Sequence, residues 1–321
     1  MLMLNIVKRT HSIENKAILV LIMLSMLTGI FSSSAQAEKN KLYPHQINLS
    51  GNVFHFSMPE DFSKDMPAND MVEALDISDF SKFDNPEYGN LMRRWWDIKE
   101  PGWFGKNLGT VMMDISVQKV VTNQRKLIHD RSYDIKDRMD FMLMLDDSFH
   151  QRYDQLNKES SSPDRAVAYH SSFVTMVGDK IETNYREFIF NQQKWVENGI
   201  VGPRNDLIII LAIPIDEQVY LEASFTYSKN DDVHLRDFRN AGFAKMANIQ
   251  KSFLIDYVES NPFKKIVGGV WLEQTNDDAL IQHRDALFNL LTISEARTIN
   301  KDSRSQGALG SERIDAPSSQ D

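Results

Sequence analysis

The run of eight residues from Leu207 to Pro214 constrains the fold more than any other stretch of the chain. It is continuously apolar and mostly β-branched, and it is too short to cross a bilayer. Such a run predicts a strand that is covered on both faces. After a polar break at 216–218, apolar and polar side chains alternate through residues 219–227, which is the period of a second strand. The two segments together predict a hairpin.

A helix is predicted directly after this hairpin. Asn230-Asp231-Asp232 offers turn and N-cap chemistry. Apolar or small residues then recur at three- and four-residue spacing, so a helix that packs on the hairpin is expected from Leu235 to Phe253. The residues in this pattern are Leu235, Phe238, Gly242, Met246, Ile249 and Phe253.

Strand and helix patterns also flank this central unit. Residues 63–89 predict a long ordered loop with one helical turn at 71–75, and residues 266–272 fit either a short strand or an irregular cover. Because strands come in consecutive runs without strict β-α-β alternation, we predict an α+β fold, a largely antiparallel sheet with helices packed on its faces. The other predicted strands are 47–49, 53–58, 91–98, 110–121, 169–176 and 185–195, and the other predicted helices are 135–156 and 279–293.

The chain begins with the three-part layout of a secretory signal. Basic residues precede an apolar run at 17–31, and small residues follow it up to Ala35-Gln36-Ala37. We therefore predict a cleaved signal peptide at 1–37, a periplasmic location and no stable membrane anchor after cleavage; an uncleaved N-terminal anchor is the alternative. Residues 38–295 are expected to form a single domain. Residues 296–321 have little apolar content and are predicted to be a disordered polar tail.

Charge and cysteine content narrow the function classes. The full chain has 36 basic and 45 acidic residues. Removing 1–37 takes away three basic residues and one acidic residue, so 33 against 44 remain and the net charge is −11. An acidic surface disfavours nucleic acid and favours a basic protein partner. The chain has no cysteine, so thiol catalysis and cysteine-ligated zinc are excluded.

Aromatic and arginine side chains give the candidate binding residues. Arg94 and Trp96 belong to an Arg-Arg-Trp-Trp sequence, and Trp103 and Phe104 follow in a glycine-rich connection. Buried aromatics and arginine dominate the energetics of protein interfaces, so these four residues are candidates for partner binding. Core packing is the competing interpretation of the tryptophans.

The sequence predicts no catalytic residue, cofactor or metal. Asp146 and His150 lie four residues apart on the predicted helix, but no third ligand has matching spacing, so we interpret them as a surface ion pair. Neither a Gly-x-Ser-x-Gly elbow nor a phosphate loop is present. We therefore predict a protein that is not an enzyme, while a catalytic site assembled from distant residues stays open.

Two segments resemble the PsbP-like α/β/α sandwich of photosystem subunits and many bacterial envelope proteins. Phe54 to Phe62 is similar to the opening strand and proline turn of that family, and Val219 to Tyr227 with the helix to Phe253 is similar to its closing strand and helix. Residues 63–89 and the helix beyond Ala279 depart from the pattern, so no functional residue is carried over.

Among exported bacterial proteins of this fold, the chain also resembles the periplasmic immunity proteins that neutralise type VI secretion effectors, particularly those of the lipase class. The resemblance implies a non-enzymatic binding protein whose partner is a basic toxin or a lipase effector. An envelope assembly factor and a hydrolase are the alternatives.

Overall fold

The computed structural model describes residues 41–83, 85, 87–100, 105–120, 132–159, 174–177, 180–183, 186–201 and 206–269. Within these ranges the strands form a six-stranded sheet, a four-stranded sheet and a separate hairpin, so the predicted α+β class is confirmed. The strands are β1 (Tyr43–Leu49), β2 (Asn52–Met58), β3 (Ala74–Leu75), β4 (Tyr88–Lys99), β5 (Asn107–Lys119), β6 (Val174–Val177), β7 (Lys180–Thr183), β8 (Arg186–Phe190), β9 (Gln193–Val201), β10 (Leu207–Pro214), β11 (Val219–Lys229) and β12 (Leu254–Asp256). The helices are α1 (Arg138–Glu159), α2 (Leu235–Gln250) and α3 (Phe263–Val267).

The predicted central unit is confirmed. Strands β10 and β11 pair antiparallel with Ile210 opposite Ser224, and they lie in the middle of the six-stranded order β4-β5-β11-β10-β9-β8. Helix α2 follows as expected, although it begins after His234, which makes no side-chain cap hydrogen bond. The N-cap function predicted for Asn230-Asp231-Asp232 is therefore wrong. These residues form a turn instead, in which the Val233 amide donates to the Asn230 carbonyl at 3.1 Å.

The four-stranded sheet has the order β12-β2-β1-β3, and its β1–β2 hairpin was also predicted. The chain turns at Ser50 and Gly51, which have φ of 52° and 93°. Glycine suits this turn because a left-handed backbone is costly for other residues. The turn sets the register that places Ile47 opposite Phe54, and both of these side chains are fully buried.

Two local predictions are wrong, and a third is described only in part. Ala74–Leu75 is a short strand parallel to β1, not a helical turn, and the turn of 3-10 helix lies at Phe80–Lys82. The strand predicted at 185–195 is two strands, because the chain reverses at Asn191 and Gln192 with φ of 48° and 61°. Without a glycine there, the sequence gives only a weak turn signal. Helix α3 occupies residues 263–267 and so includes the first two residues of the strand or irregular cover predicted at 266–272, Gly268 forms an isolated bridge with Gln193, and residues 270–272 lie outside the described part of the chain.

The six-stranded sheet is covered on both faces. On one face Phe141 of α1 contacts Tyr220, with ring centroids 5.9 Å apart. On the other face Phe243 of α2 contacts Tyr227 at 5.0 Å, and the four-stranded sheet brings Phe54 to 6.2 Å from Trp195. The main core therefore lies between the two sheets and α2.

Helix α1 differs from the amphipathic prediction. Residues 141–149 are all buried, including Asp146 at 3% exposure and Asp147 at 0%. The interpretation of Asp146 as part of a surface ion pair is therefore wrong, and the side chain of His150 lies outside the described residues. The tyrosine hydroxyl of Tyr133 donates a hydrogen bond to Asp147. A helix buried on all its faces cannot be recognised from a single apolar stripe.

The predicted signal peptide, the helix at 279–293, the polar tail at 296–321 and most of the predicted strand at 169–176 lie outside the described residues.

Candidate functional site

Residues 59–79 form an acidic edge segment that runs along β4, the first strand of the six-stranded sheet. The Ser63 amide donates to the Trp95 carbonyl at 2.7 Å, and the Val72 amide donates to the Leu91 carbonyl at 2.9 Å. Between them Asn69 forms an antiparallel bridge with Arg93. The loop predicted at 63–89 is therefore ordered in its first part and occupies the hydrogen-bonding edge that β4 would otherwise expose.

The charge of the acidic edge segment is strongly unbalanced. It contains seven acidic residues and one basic residue, Lys64, which gives a net charge of −6. Some carboxylates are neutralised internally, since Asp61 pairs with Lys245 at 3.0 Å and both Asp76 and Asp79 pair with Lys82 at 3.2 Å. Four others are exposed and have no ion pair within the described part of the chain: Glu60, Asp65, Asp70 and Glu73.

Hydrogen bonds fix the end of the acidic edge segment. The Ser78 and Ser50 hydroxyls donate to Asp76 at 2.7 and 3.0 Å. Together with Lys82, these bonds hold the pKa of Asp76 well below its ordinary value. Asp76 therefore stays ionised and anchors the segment to the β1–β2 turn.

The structure describes two of the four predicted binding residues. Trp96 is fully buried in the core, and its indole N–H donates to the Pro59 carbonyl at 3.2 Å, so it offers no surface to a partner. Arg94 is half-buried beneath the acidic edge segment. Its guanidinium donates to the Asn69 carbonyl and lies 5.4 Å from the centre of the Phe62 ring. Trp103 and Phe104 lie outside the described residues.

A buried polar network on the α1 face was not identified from the sequence. Arg93 of β4 donates through Nε to Asp114 of β5 at 2.6 Å. Arg152 of α1 donates to both carboxylate oxygens of Glu222 on β11, at 2.8 and 3.2 Å. The same guanidinium donates to Gln118 at 3.2 Å. The signal that could have revealed it is a charged residue in the middle of each apolar strand, Asp114 in β5 and Glu222 in β11.

Burial and neighbouring charges act on the Asp114 carboxyl of this network. Burial raises the pKa of Asp114 above its ordinary value, the charge of Glu222 raises it further, and the guanidiniums of Arg93 and Arg152 oppose both effects. Ionisation of Asp114 therefore has a desolvation cost in the fold that its arginine neighbours offset only in part.

Two features are absent from the part of the chain that the structure describes. No three His, Asp or Glu side chains among them are grouped as a metal site would require. Likewise, no helix within the described ranges is long and apolar enough to span a bilayer.

Comparison with known proteins adds no family. No protein-family model matches the chain, and no curated protein matches it.

Proposed function

We propose that this chain is an exported, non-enzymatic binding protein whose acidic edge segment docks on a basic protein partner. One observation carries the proposal: Glu60, Asp65, Asp70 and Glu73 are exposed and unpaired within the described ranges, on a segment that the six-stranded sheet holds in place. Clustered charge of one sign accelerates association with a partner of opposite charge and selects against acidic partners.

The particular function we propose is immunity against a secreted antibacterial effector, with the lipase class as the first candidate. The predicted signal peptide supports action in the periplasm, and the resemblance to PsbP-like immunity proteins supports the partner class. In this function the segment blocks a basic or catalytic surface of the effector, and the chain needs no active site of its own.

The direct test takes each protein with a secretion signal that genome sequencing finds encoded next to this chain. Each such protein is expressed in the bacterial periplasm with and without the full chain, and growth and complex formation are measured. Protection by the wild-type chain is the expected result. A variant with Asp65→Lys, Asp70→Lys and Glu73→Lys should lose binding and protection while remaining folded.

A matched control separates location from total charge. Glu100→Lys, Asp231→Lys and Asp256→Lys change the net charge by the same amount at three exposed positions outside the segment. This variant should still bind and protect. Equal loss in both variants would contradict the assignment to the segment, and the lack of a toxic secreted neighbour would contradict immunity. Retention of the protein in the cytoplasm on cell fractionation would contradict export.

One observation favours the hydrolase alternative. A buried carboxyl with a raised pKa beside a second carboxylate, as in Asp114 and Glu222, is the type of group that acid–base catalysis uses. Both carboxylates, however, accept hydrogen bonds from arginine. Support for this alternative would require that the wild-type chain hydrolyses an ester or glycoside substrate and that Asp114→Asn does not.

A further inference from the structure

Arg93 lies where the acidic edge segment meets the buried polar network. Its backbone forms the bridge to Asn69, and its side chain donates to Asp114 on the neighbouring strand at 2.6 Å. The next residue, Arg94, donates to the Asn69 carbonyl. Arg93 therefore contacts the segment through its backbone and the polar network through its side chain.

The surroundings of this ion pair make it sensitive to one proton. Among the described residues, the charged groups that act on Asp114 are Arg93 from β4, Glu222 from β11 and Arg152 from α1. With both carboxylates ionised, two guanidiniums balance two negative charges. Protonation of Asp114 leaves one positive charge in excess, and Arg152 still donates two hydrogen bonds to Glu222.

We propose that the pair of Arg93 and Asp114 is a proton-sensitive latch that fastens the acidic edge segment to the six-stranded sheet. The ionised carboxylate holds the Arg93 side chain by a charge-assisted hydrogen bond, which is stronger than a bond to a neutral acid. When Asp114 becomes neutral, the Arg93 side chain turns to solvent, because 38% of it is already exposed whereas Asp114 is 15% exposed. The backbone of Arg93, which forms the bridge to Asn69, is then no longer fixed to β5 through its side chain, and the segment opens.

The latch can open without unfolding the protein, because protonation of Asp114 does not destabilise the fold as a whole. Because burial raises the pKa of Asp114 in the fold, the folded chain takes up this proton more readily than the unfolded chain does. Protonation of Asp114 therefore adds to the global stability as the pH falls through the raised pKa, and that added stability is lost again as the pH rises through it. Protonation of Asp114 thus loosens the acidic edge segment locally while it raises the free energy of unfolding of the whole domain.

A role of the latch in regulating partner binding rests on the proposed function. Opening of the segment itself is measured in the isolated full chain, without a partner. Amide hydrogen exchange, corrected for the intrinsic pH dependence of exchange, reports Ser63 and Val72, whose N–H groups bind β4. In the wild type their protection should fall as the pH falls into the acid range. The expected change is about tenfold, the ratio between a charge-assisted hydrogen bond and a neutral or missing one.

Variants distinguish the latch from general acid loosening. Asp114→Asn should show the lower protection at every pH, with no further pH-dependent change and no loss of global stability. Asp97→Asn, which removes a carboxylate from β4, the strand that carries Arg93, but outside the network, should behave as the wild type. Wild-type protection in Asp114→Asn, or an unchanged pH profile, would overturn the latch.

A second variant keeps the test decisive if Asp114→Asn fails to fold. Arg93→Met retains Asp114 and removes the other partner, so it should lower protection of Ser63 and Val72 at neutral pH. Protection equal to that of the wild type would again overturn the latch. Because no partner is present in these measurements, their outcome does not depend on whether the segment binds a toxin.

Discussion

Replacing Gln193 with leucine should destabilise the fold far more than an ordinary surface substitution. The side chain of Gln193, at the start of β9, closes the outer edge of β12. Its amide oxygen accepts from the Ile255 N–H at 2.8 Å, and its amide nitrogen donates to the Ile255 carbonyl at 2.6 Å, both in a buried setting. The Gln193 side chain therefore makes the pair of hydrogen bonds that a neighbouring strand would make to Ile255. It also connects β9 of the six-stranded sheet with β12 of the four-stranded sheet.

The magnitude follows from the two groups that Gln193→Leu leaves without partners. Each buried polar backbone group without a hydrogen bond costs about 1–3 kcal/mol, so the loss should be about 2–6 kcal/mol. That is a large share of the roughly 5–15 kcal/mol by which a typical domain is stable.

The assay is urea denaturation followed by circular dichroism, with the slope m required to stay constant. Gln46→Leu is the matched control, because Gln46 lies exposed on a strand, and its effect should stay within about 0.5 kcal/mol. A loss below about 1 kcal/mol in Gln193→Leu would refute the reasoning, since it would mean that Ile255 finds other partners or that this junction contributes little.

Three further predictions concern stability. Gln250 is fully buried, and neither polar atom of its amide has a hydrogen-bond partner among the described residues. Gln250→Met should therefore raise the free energy of unfolding by about 1–3 kcal/mol in urea titrations, and a decrease would contradict this. Gly109 has φ of 151°, and an added Cβ would lie 2.3 Å from the Ser228 carbonyl oxygen. Gly109→Ala should lower stability by about 1–3 kcal/mol, and an unchanged melting temperature would be inconsistent with strain at this position. Tyr257 donates to the Pro214 carbonyl at 2.6 Å, so Tyr257→Phe should cost about 1 kcal/mol in thermal denaturation; a neutral result would show that this hydrogen bond adds nothing net.

The network of Arg93, Asp114, Glu222 and Arg152 shows why a site is harder to predict than a strand. Within β5, Asp114 and Ser116 alternate with Met113 and so lie on the opposite face of the strand, which the period of a strand is sufficient to predict. The partner of Glu222, however, is 70 residues away in sequence on another element. A contact of that kind leaves no local periodicity, because it exists only after α1 has packed on the sheet.

The acidic edge segment likewise has one property that the sequence shows and another that depends on distant contacts. Its charge can be counted from the sequence, but its course along β4 depends on hydrogen bonds from Ser63 and Val72 to distant backbone carbonyls. The prediction of Trp96 as a binding residue did not hold, because alternation leaves open which face of an edge strand is buried more deeply, and the second sheet decides that.

The sequence by itself determined the α+β class, the β1–β2 and β10–β11 hairpins and helix α2. These depend on periodicity and on turn residues within a few positions of one another, and local sterics and burial are sufficient to encode them. Only the tertiary structure decided that β12 joins β2, that Gln193 closes the edge of β12, and that Asp146 and Asp147 are buried. The physical reason is that a hydrogen bond or a buried charge depends on groups brought together from distant parts of the chain, and the stability of each is set by neighbours that the local pattern does not contain.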